Sequence, residues 1–235
     1  MLLADLIGRS TAWVIAHGEA EVDEAKIESL MRRRLAGEPL QYIRGKTEFF
    51  GREFYVDDRV LIPRPETELL VEAAIQRIPR GARVIDVGTG SGCIAVTLAA
   101  ARPDLHVVAS DKSVAALAVA SRNGARARVA SDALAAYRAT FDAIVSNPPY
   151  IPAADVAELM TEVRDHEPHV ALTPGPRGTE VIEHILAAPL VMLEIGYGQE
   201  QQIRELAAAR GFTVEEVRND LAGIPRVVVL SRHAE

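Results

Sequence analysis

The sequence is nearly free of cysteine. A single thiol, Cys93, among 235 residues excludes an intramolecular disulfide framework and leaves no cysteine cluster for zinc. Long apolar runs are missing as well. No stretch approaches the ~20 uninterrupted apolar residues of a membrane span, and Asp5 and Arg9 interrupt the first segment. Neither a membrane span nor a signal peptide is expected, and a soluble cytoplasmic protein is the default. Excess positive charge is absent too: the formal net charge is -7, which argues against a broad electrostatic grip on nucleic acid and suits a basic protein partner. There is no internal repeat and no low-complexity tract. What the chain does have is hydrophobic content, 49% of its residues, enough for one full core and a small second module.

Two kinds of pattern follow one another. From Leu2 to about Gly37 apolar residues recur at helical spacing, with Asp23 an N-cap for "EAKIESLMRRRLAG", whose arginines and glycine are stop signals. "TEFFGREFYVDDRVLIP" alternates about Gly51 and reads as a hairpin, and a helix should run from near Pro65 to near Ile78. Beyond Gly81, seven short apolar segments are strand candidates: "RVIDV", "LHVVAS", "ARVA", "FDAIVS", "LVMLEI", "FTVEEV" and "RVVVL". Helical segments separate most of them, so a mostly parallel sheet covered on both faces is expected. The loop with Asn219, Gly223 and Pro225 allows the last strand to enter antiparallel. The chain divides into a helical module over 1–45, a hairpin linker over 46–64 and a larger α/β domain over 65–235.

Such sheets bind ligands beyond the carboxyl ends of their strands, and the residues there carry the chemistry. "DVGTGSG" follows the first strand, with Gly88, Gly90 and Gly92 permitting a tight turn and close approach of backbone to ligand, together with Thr89 and Ser91. The G-x-G-x-G spacing and the preceding Asp86 differ from the dinucleotide fingerprint. An acidic side chain facing the ligand is unfavourable beside a pyrophosphate and favourable beside an amino group. Asp111 ends the second strand, placed to accept both hydroxyls of a ribose, and Asp132 follows the third, placed to reach an adenine edge. A nucleoside with a cationic amino-acid tail fits these positions better than a dinucleotide.

The fourth strand ends in "SNPPY". Each proline pushes the residue before it into extended geometry, so Asn147 and Pro148 are stiff. Neither Pro148 nor Pro149 donates a hydrogen bond, which leaves the Pro148 carbonyl available as an acceptor. The Asn147 side-chain carbonyl lies beside it, and Tyr150 adds a face for stacking. Two fixed acceptors can hold both hydrogens of a planar NH₂ whose lone pair is delocalised, and favour the tetrahedral, positively charged nitrogen formed on methylation. No strong base is required, because that nitrogen is very acidic and its proton can pass to Asn147, to Pro148 or to water.

"DVGTGSG" and "NPPY" in this order resemble the class I S-adenosylmethionine-dependent methyltransferases that act on planar amino groups. "GEPLQYIRGKTEFFGREFYV", "LIPRPETELLVE", "HEPHVAL" and "LEIGYGQ" narrow the resemblance to the protein-(glutamine-N5) methyltransferases of peptide chain release factors, the PrmC or HemK family, over about Leu2 to Val229. The resemblance implies a Rossmann-like seven-stranded sheet with its last strand antiparallel, a small N-terminal helical domain that docks substrate, and a β-hairpin linker. It implies that Asp86, Gly88 through Gly92, Asp111, Asp132, Ala133 and Asn147 bind S-adenosylmethionine, and that Asn147, Pro148, Pro149 and Tyr150 hold the glutamine of a Gly-Gly-Gln loop. Ala133 stands where the family often carries a larger side chain packed on the adenine. Arg64 and Glu66 would order a lid. Two departures are a shorter helical domain and an abrupt "ILAAPLVMLEIG" where the family has a loop rich in lysine, proline and glycine. The partner expected is a release factor, with no nucleic acid, no membrane and a monomeric enzyme.

Other candidates are weaker. His166 and His169 have H-x-x-H spacing without the further ligands of a zinc site. Cys93 reads as a small buried residue. Glu194 could face the cofactor pocket or brace a loop, and Arg32 to Arg34 read as a solvated helix end. Rival functions are adenine-N6 methylation of DNA, methylation of a ribosomal-protein glutamine, and a non-catalytic cofactor-binding adaptor.

Overall fold

The computed structural model describes residues 2–19, 22–135 and 140–232. The chain opens with four helices, α1 (Leu2–Ile7), α2 (Thr11–Ala16), α3 (Glu24–Leu35) and α4 (Leu40–Arg44). Asp23 caps α3 as expected, its carboxylate accepting the Lys26 N–H at 3.1 Å. The arginines that end α3 are solvated as expected, Arg32 and Arg33 exposed and Arg34 half-buried, and two of them are paired: Arg33 with Glu38, and Arg34 with Glu162 far along the chain. α4 supplies the buried contact of this module. Tyr42 packs with Val56, Val60 and Ile62, and its hydroxyl donates to the Val60 carbonyl at 2.5 Å.

Strands β1 (Lys46–Phe49) and β2 (Arg52–Tyr55) form the expected antiparallel hairpin. Its two turn residues, Phe50 and Gly51, both have positive φ, 52° and 67°, the geometry whose twist matches a two-residue hairpin. The Phe50 N–H is held by Glu68 at 2.7 Å. The following helix α5 (Thr67–Arg77) starts two residues after Pro65.

The larger domain then runs β3 (Arg83–Val87), α6 (Cys93–Ala101), β4 (His106–Asp111), α7 (Val114–Arg122), β5 (Ala127–Ala130), β6 (Ala143–Ser146), a 3-10 turn over Ala153–Glu158, α8 (Thr161–His166), α9 (His169–Leu172), α10 (Glu180–Ile185), β7 (Leu190–Glu194), α11 (Glu200–Ala209), β8 (Thr213–Asn219) and β9 (Pro225–Ser231). Seven strands form one sheet in the order β5-β4-β3-β6-β7-β9-β8. β9 is the reversed strand, pairing antiparallel with both β7 and β8, while the other neighbouring pairs are parallel. All seven expected strands are present, and the last is the reversed one. The helical segment 151–178 has no counterpart in the sequence reading, because each of its pieces is six residues or shorter and carries too little periodicity to detect.

Alternation along the strands feeds a core on each face. Val84, Val145, Met192 and Val229 pack with Leu70, Val71 and Leu98 of α5 and α6. Ile85, Ile144, Val191 and Val228 pack with Ile182, Ile185 and Ile203 of α10 and α11. Strand order reverses between β3, which pairs with β4 on one side, and β6 on the other. The carboxyl ends of those strands form the crevice. No helix among the described residues is long and apolar enough to cross a membrane.

Candidate active site

The glycine turn after β3 is shaped from below. Gly88, Gly90 and Gly92 all have positive φ. A Cβ on Gly92 would stand 3.0 Å from the Ala120 Cβ, so its absence lets α6 and α7 approach. Thr89 Oγ1 donates to Asp86 Oδ2 at 2.6 Å, and the same oxygen accepts the Ala95 N–H at 3.2 Å. Asp86 is therefore the anchor of the turn. Its side chain is fully buried and does not line the cavity, while its second oxygen, Oδ1, has no hydrogen-bond partner among the described residues. It shares a strand face with Val84, which points under α6, and burial pushes its carboxyl up to about 7. Thr89 and Ser91 are also buried; Thr89 N–H donates to the Ser110 carbonyl at 2.9 Å.

Gly88, Gly90, Asp111, Asp132, Ala133 and Asn147 meet around one cavity at the strand ends, with Pro148 and Pro149 on its other side. Asp111 accepts the Gly90 N–H on one oxygen and the Ser113 N–H on the other, each at 2.9 Å. Its carboxyl is raised by burial. Ala133 takes φ 47°, a conformation that costs a non-glycine residue about 1 kcal/mol. Lys112 and Arg59 also reach the cavity, and the sequence reading missed both. The acids Asp111 and Asp132, the apolar Val87, Ala116 and Val181, and the acceptor-bearing Asn147 and Pro148 all line this cavity, a set that suits a nucleoside with a cationic sulfonium tail.

β6 is tied to β3 at this edge by Ser146 Oγ, which donates to the Val87 carbonyl at 2.6 Å. Beyond it, Asn147 Nδ2 donates to Thr67 Oγ1 at 3.1 Å. Thr67 Oγ1 in turn donates to Glu194 Oε2 at 2.6 Å, and the Tyr150 hydroxyl reaches Glu194 Oε1 at 3.4 Å. Among the described residues no donor is bonded to Asn147 Oδ1 or to the Pro148 carbonyl. Both acceptors are free at the edge of the cavity. Glu194, 2% exposed, braces the site from beneath, and burial pushes its carboxyl up to about 7.

Tyr150 lines a second cavity that shares Asn147 and Pro148 with the first and adds Arg64 and Leu172. Its carbonyl accepts Gln199 Nε2–H at 2.9 Å, and Gln199 Oε1 accepts the Gly196 N–H at 2.8 Å. Glycine is required behind it: a Cβ on Gly178 would stand 2.5 Å from the Tyr150 carbonyl oxygen. Arg64 pairs with Glu167, whose other oxygen accepts the Ile62 N–H at 3.2 Å. His166 and His169 bond to the Ala36 and Arg164 carbonyls. Cys93 is buried, and its thiol is pushed up to about 12. Thr67, Glu167, Gln199 and Gly178 were missed from sequence, although Thr67 sits in the conspicuous "RPETE" and Glu167 in "HEPHVAL".

Comparison with known proteins bears on this geometry. Residues 65–214 match the family model of the methyltransferase small domain, and residues 1–45 match that of the PrmC N-terminal domain. A release factor glutamine methyltransferase of Koribacter versatilis is 41% identical over 97% of this chain and 88% of its own. One from Nitratidesulfovibrio vulgaris is 44% identical over 91% of this chain and 79% of its own. Among solved structures, the Mtq2–Trm112 complex of E. cuniculi, described as responsible for methylation of the eRF1 termination factor, matches at TM-score 0.57 and 21% identity over 74% of this chain and 99% of its own. That last likeness concerns the fold alone. With the strand order, the glycine turn and the free acceptors after β6, these matches show that the chain belongs to the release factor glutamine methyltransferase family.

Proposed function

We propose that this protein transfers a methyl group from S-adenosylmethionine to the side-chain amide nitrogen of the glutamine in the Gly-Gly-Gln loop of a peptide chain release factor. The observation that carries the reading is the pair of free acceptors, Asn147 Oδ1 and the Pro148 carbonyl, at the reversal of strand order. S-adenosylmethionine supplies a methyl carbon bonded to positively charged sulfur. Gly88 and Gly90 admit its tail, Asp111 accepts from the ribose, and Asp132 and Ala133 flank the adenine. Asn147 and Pro148 each accept one N–H of the substrate amide, and Tyr150 packs against its plane.

Those acceptors favour the nitrogen as it turns tetrahedral and positive, so they bind the transition state more tightly than the planar ground state. The new N–C bond forms as the S–C bond breaks, and the nitrogen then releases one proton to an acceptor or to water. Holding nitrogen and methyl carbon in line accounts for much of the remaining rate, where effective molarities are worth roughly 7–11 kcal/mol. The helical module over 1–45 would dock the substrate. Incubation with labelled S-adenosylmethionine and either release factor or DNA tests the reading, and label in DNA alone would contradict it.

A further inference from the structure

A carboxamide has nearly the same shape in its two orientations and opposite hydrogen bonding in each. The grip on a substrate NH₂ therefore works only if Asn147 presents oxygen to it. Nothing within the cavity enforces that choice. The enforcement comes from α5 and β7, behind the site.

Thr67 Oγ1 lies 3.1 Å from Asn147 Nδ2 and 2.6 Å from Glu194 Oε2. A hydroxyl has one proton to give. An ionised Glu194 has none, so it must accept from both neighbours: Thr67 on one oxygen, and Tyr150, at 3.4 Å, on the other. Thr67 then offers Asn147 only a lone pair. The amide can satisfy that lone pair only with Nδ2–H, and Oδ1 is left for the substrate.

We propose that Thr67 is a positioning residue whose hydroxyl, held as a donor by Glu194, fixes the Asn147 amide with its oxygen toward the substrate nitrogen. The inference rests on the reading that Asn147 grips an NH₂. The centre of the relay is buried, with Thr67 and Glu194 each 2% exposed. It also has a consequence in pH. A protonated Glu194 can donate to Thr67 Oγ1 and release the threonine proton toward Asn147, which favours the turned amide. The groups that act on Glu194 are Thr67 and Glu66 at the start of α5, Tyr150 after β6, Arg226 on β9 and the buried Cys93 thiol at the start of α6; burial and Glu66 raise its carboxyl, while Thr67, Tyr150 and Arg226 lower it, and Glu194 in turn helps raise the thiol.

The test uses the full chain with release factor as substrate. Thr67→Val keeps the shape and removes the hydroxyl, and kcat is expected to fall about 10- to 100-fold, the scale of a small misplacement of a reacting group. Affinity for S-adenosylmethionine should stay unchanged, and Thr67→Ser should restore kcat to within about threefold of wild type. Wild-type kcat should rise with pH through a limb near 7, and Glu194→Gln should lose that limb. Thr67→Val turning over at the wild-type rate, with Asn147→Ala inactive, would overturn the role of Thr67 and leave the enzyme reading standing. Should Thr67→Val fold poorly, the Glu194→Gln profile decides, and an unchanged limb overturns the proposal. A wild-type protein that leaves release factor unmethylated would overturn the reading beneath it.

Discussion

The guanidinium of Arg64 pairs with the carboxylate of Glu167, whose side chain is 1% exposed, and so joins the segment before α5 to the turn between α8 and α9. The same carboxylate holds the Ile62 N–H. The pair ties the two segments that flank Asn147 and Pro148 in the second cavity. Arg64→Ala leaves a buried charge without its partner, and the expected loss of stability is about 3 kcal/mol. Adding Glu167→Gln should recover part of it. Urea unfolding of the single and double variants measures both effects.

Asp111 satisfies the Gly90 and Ser113 N–H groups besides facing the cavity. Asp111→Ala removes the acceptor proposed for the ribose and the brace of the glycine turn together. Loss of one hydrogen bond to a charged group costs roughly 1.5–3 kcal/mol, so affinity for S-adenosylmethionine should fall about 10- to 150-fold. Titration calorimetry reads this directly.

Gly178 has φ 76° and no room for a side chain, since its Cβ would meet the Tyr150 carbonyl and Gln199 Nε2 at 2.5 and 3.0 Å. Gly178→Ala should displace Tyr150. A destabilisation of roughly 1–3 kcal/mol is expected from strain of this kind, accompanied by a fall in kcat. Gly198, also at positive φ but open to space, is the control: alanine there should change stability by about 1 kcal/mol and spare kcat.

Asp86 gives a dependence on pH. Its folded carboxyl is raised to about 7 from the ordinary 3.8, chiefly by burial. Between those values the folded chain holds a proton that the unfolded chain has released, so stability falls as pH rises. The contribution is fully present below the unfolded value and is lost by the time pH passes about 7. Asp86→Asn cannot titrate. Wild type should therefore lose stability relative to this variant as pH is raised from 4 to 8, in thermal melts at each pH.

Much of this was legible in the sequence because it is local. Alternation such as Val84 and Ile85 on opposite faces of β3, the Asp23 cap and the hairpin about Gly51 each follow from neighbouring residues, whereas the positive φ of Phe50 does not. Strand-end positions placed Asp111, Asn147 and Pro148 around one cavity. Being next to the glycine turn does not say which face of the strand Asp86 takes; it lies on the face that α6 covers. The relay from Asn147 to Glu194 was invisible for another reason. It passes through Thr67, 80 residues before Asn147 and 127 before Glu194, and only the fold brings β6, β7 and α5 together.

The central claim is that Asn147 and Pro148 grip a glutamine amide of a release factor. It is tested most directly by mass spectrometry of release factor peptides after incubation with S-adenosylmethionine and either wild type or Asn147→Ala. The account predicts one added methyl on the Gly-Gly-Gln glutamine with wild type, and a rate reduced by about 100-fold or more with the variant, which should still bind S-adenosylmethionine. Methylation of another residue, or equal rates for the two proteins, would contradict it.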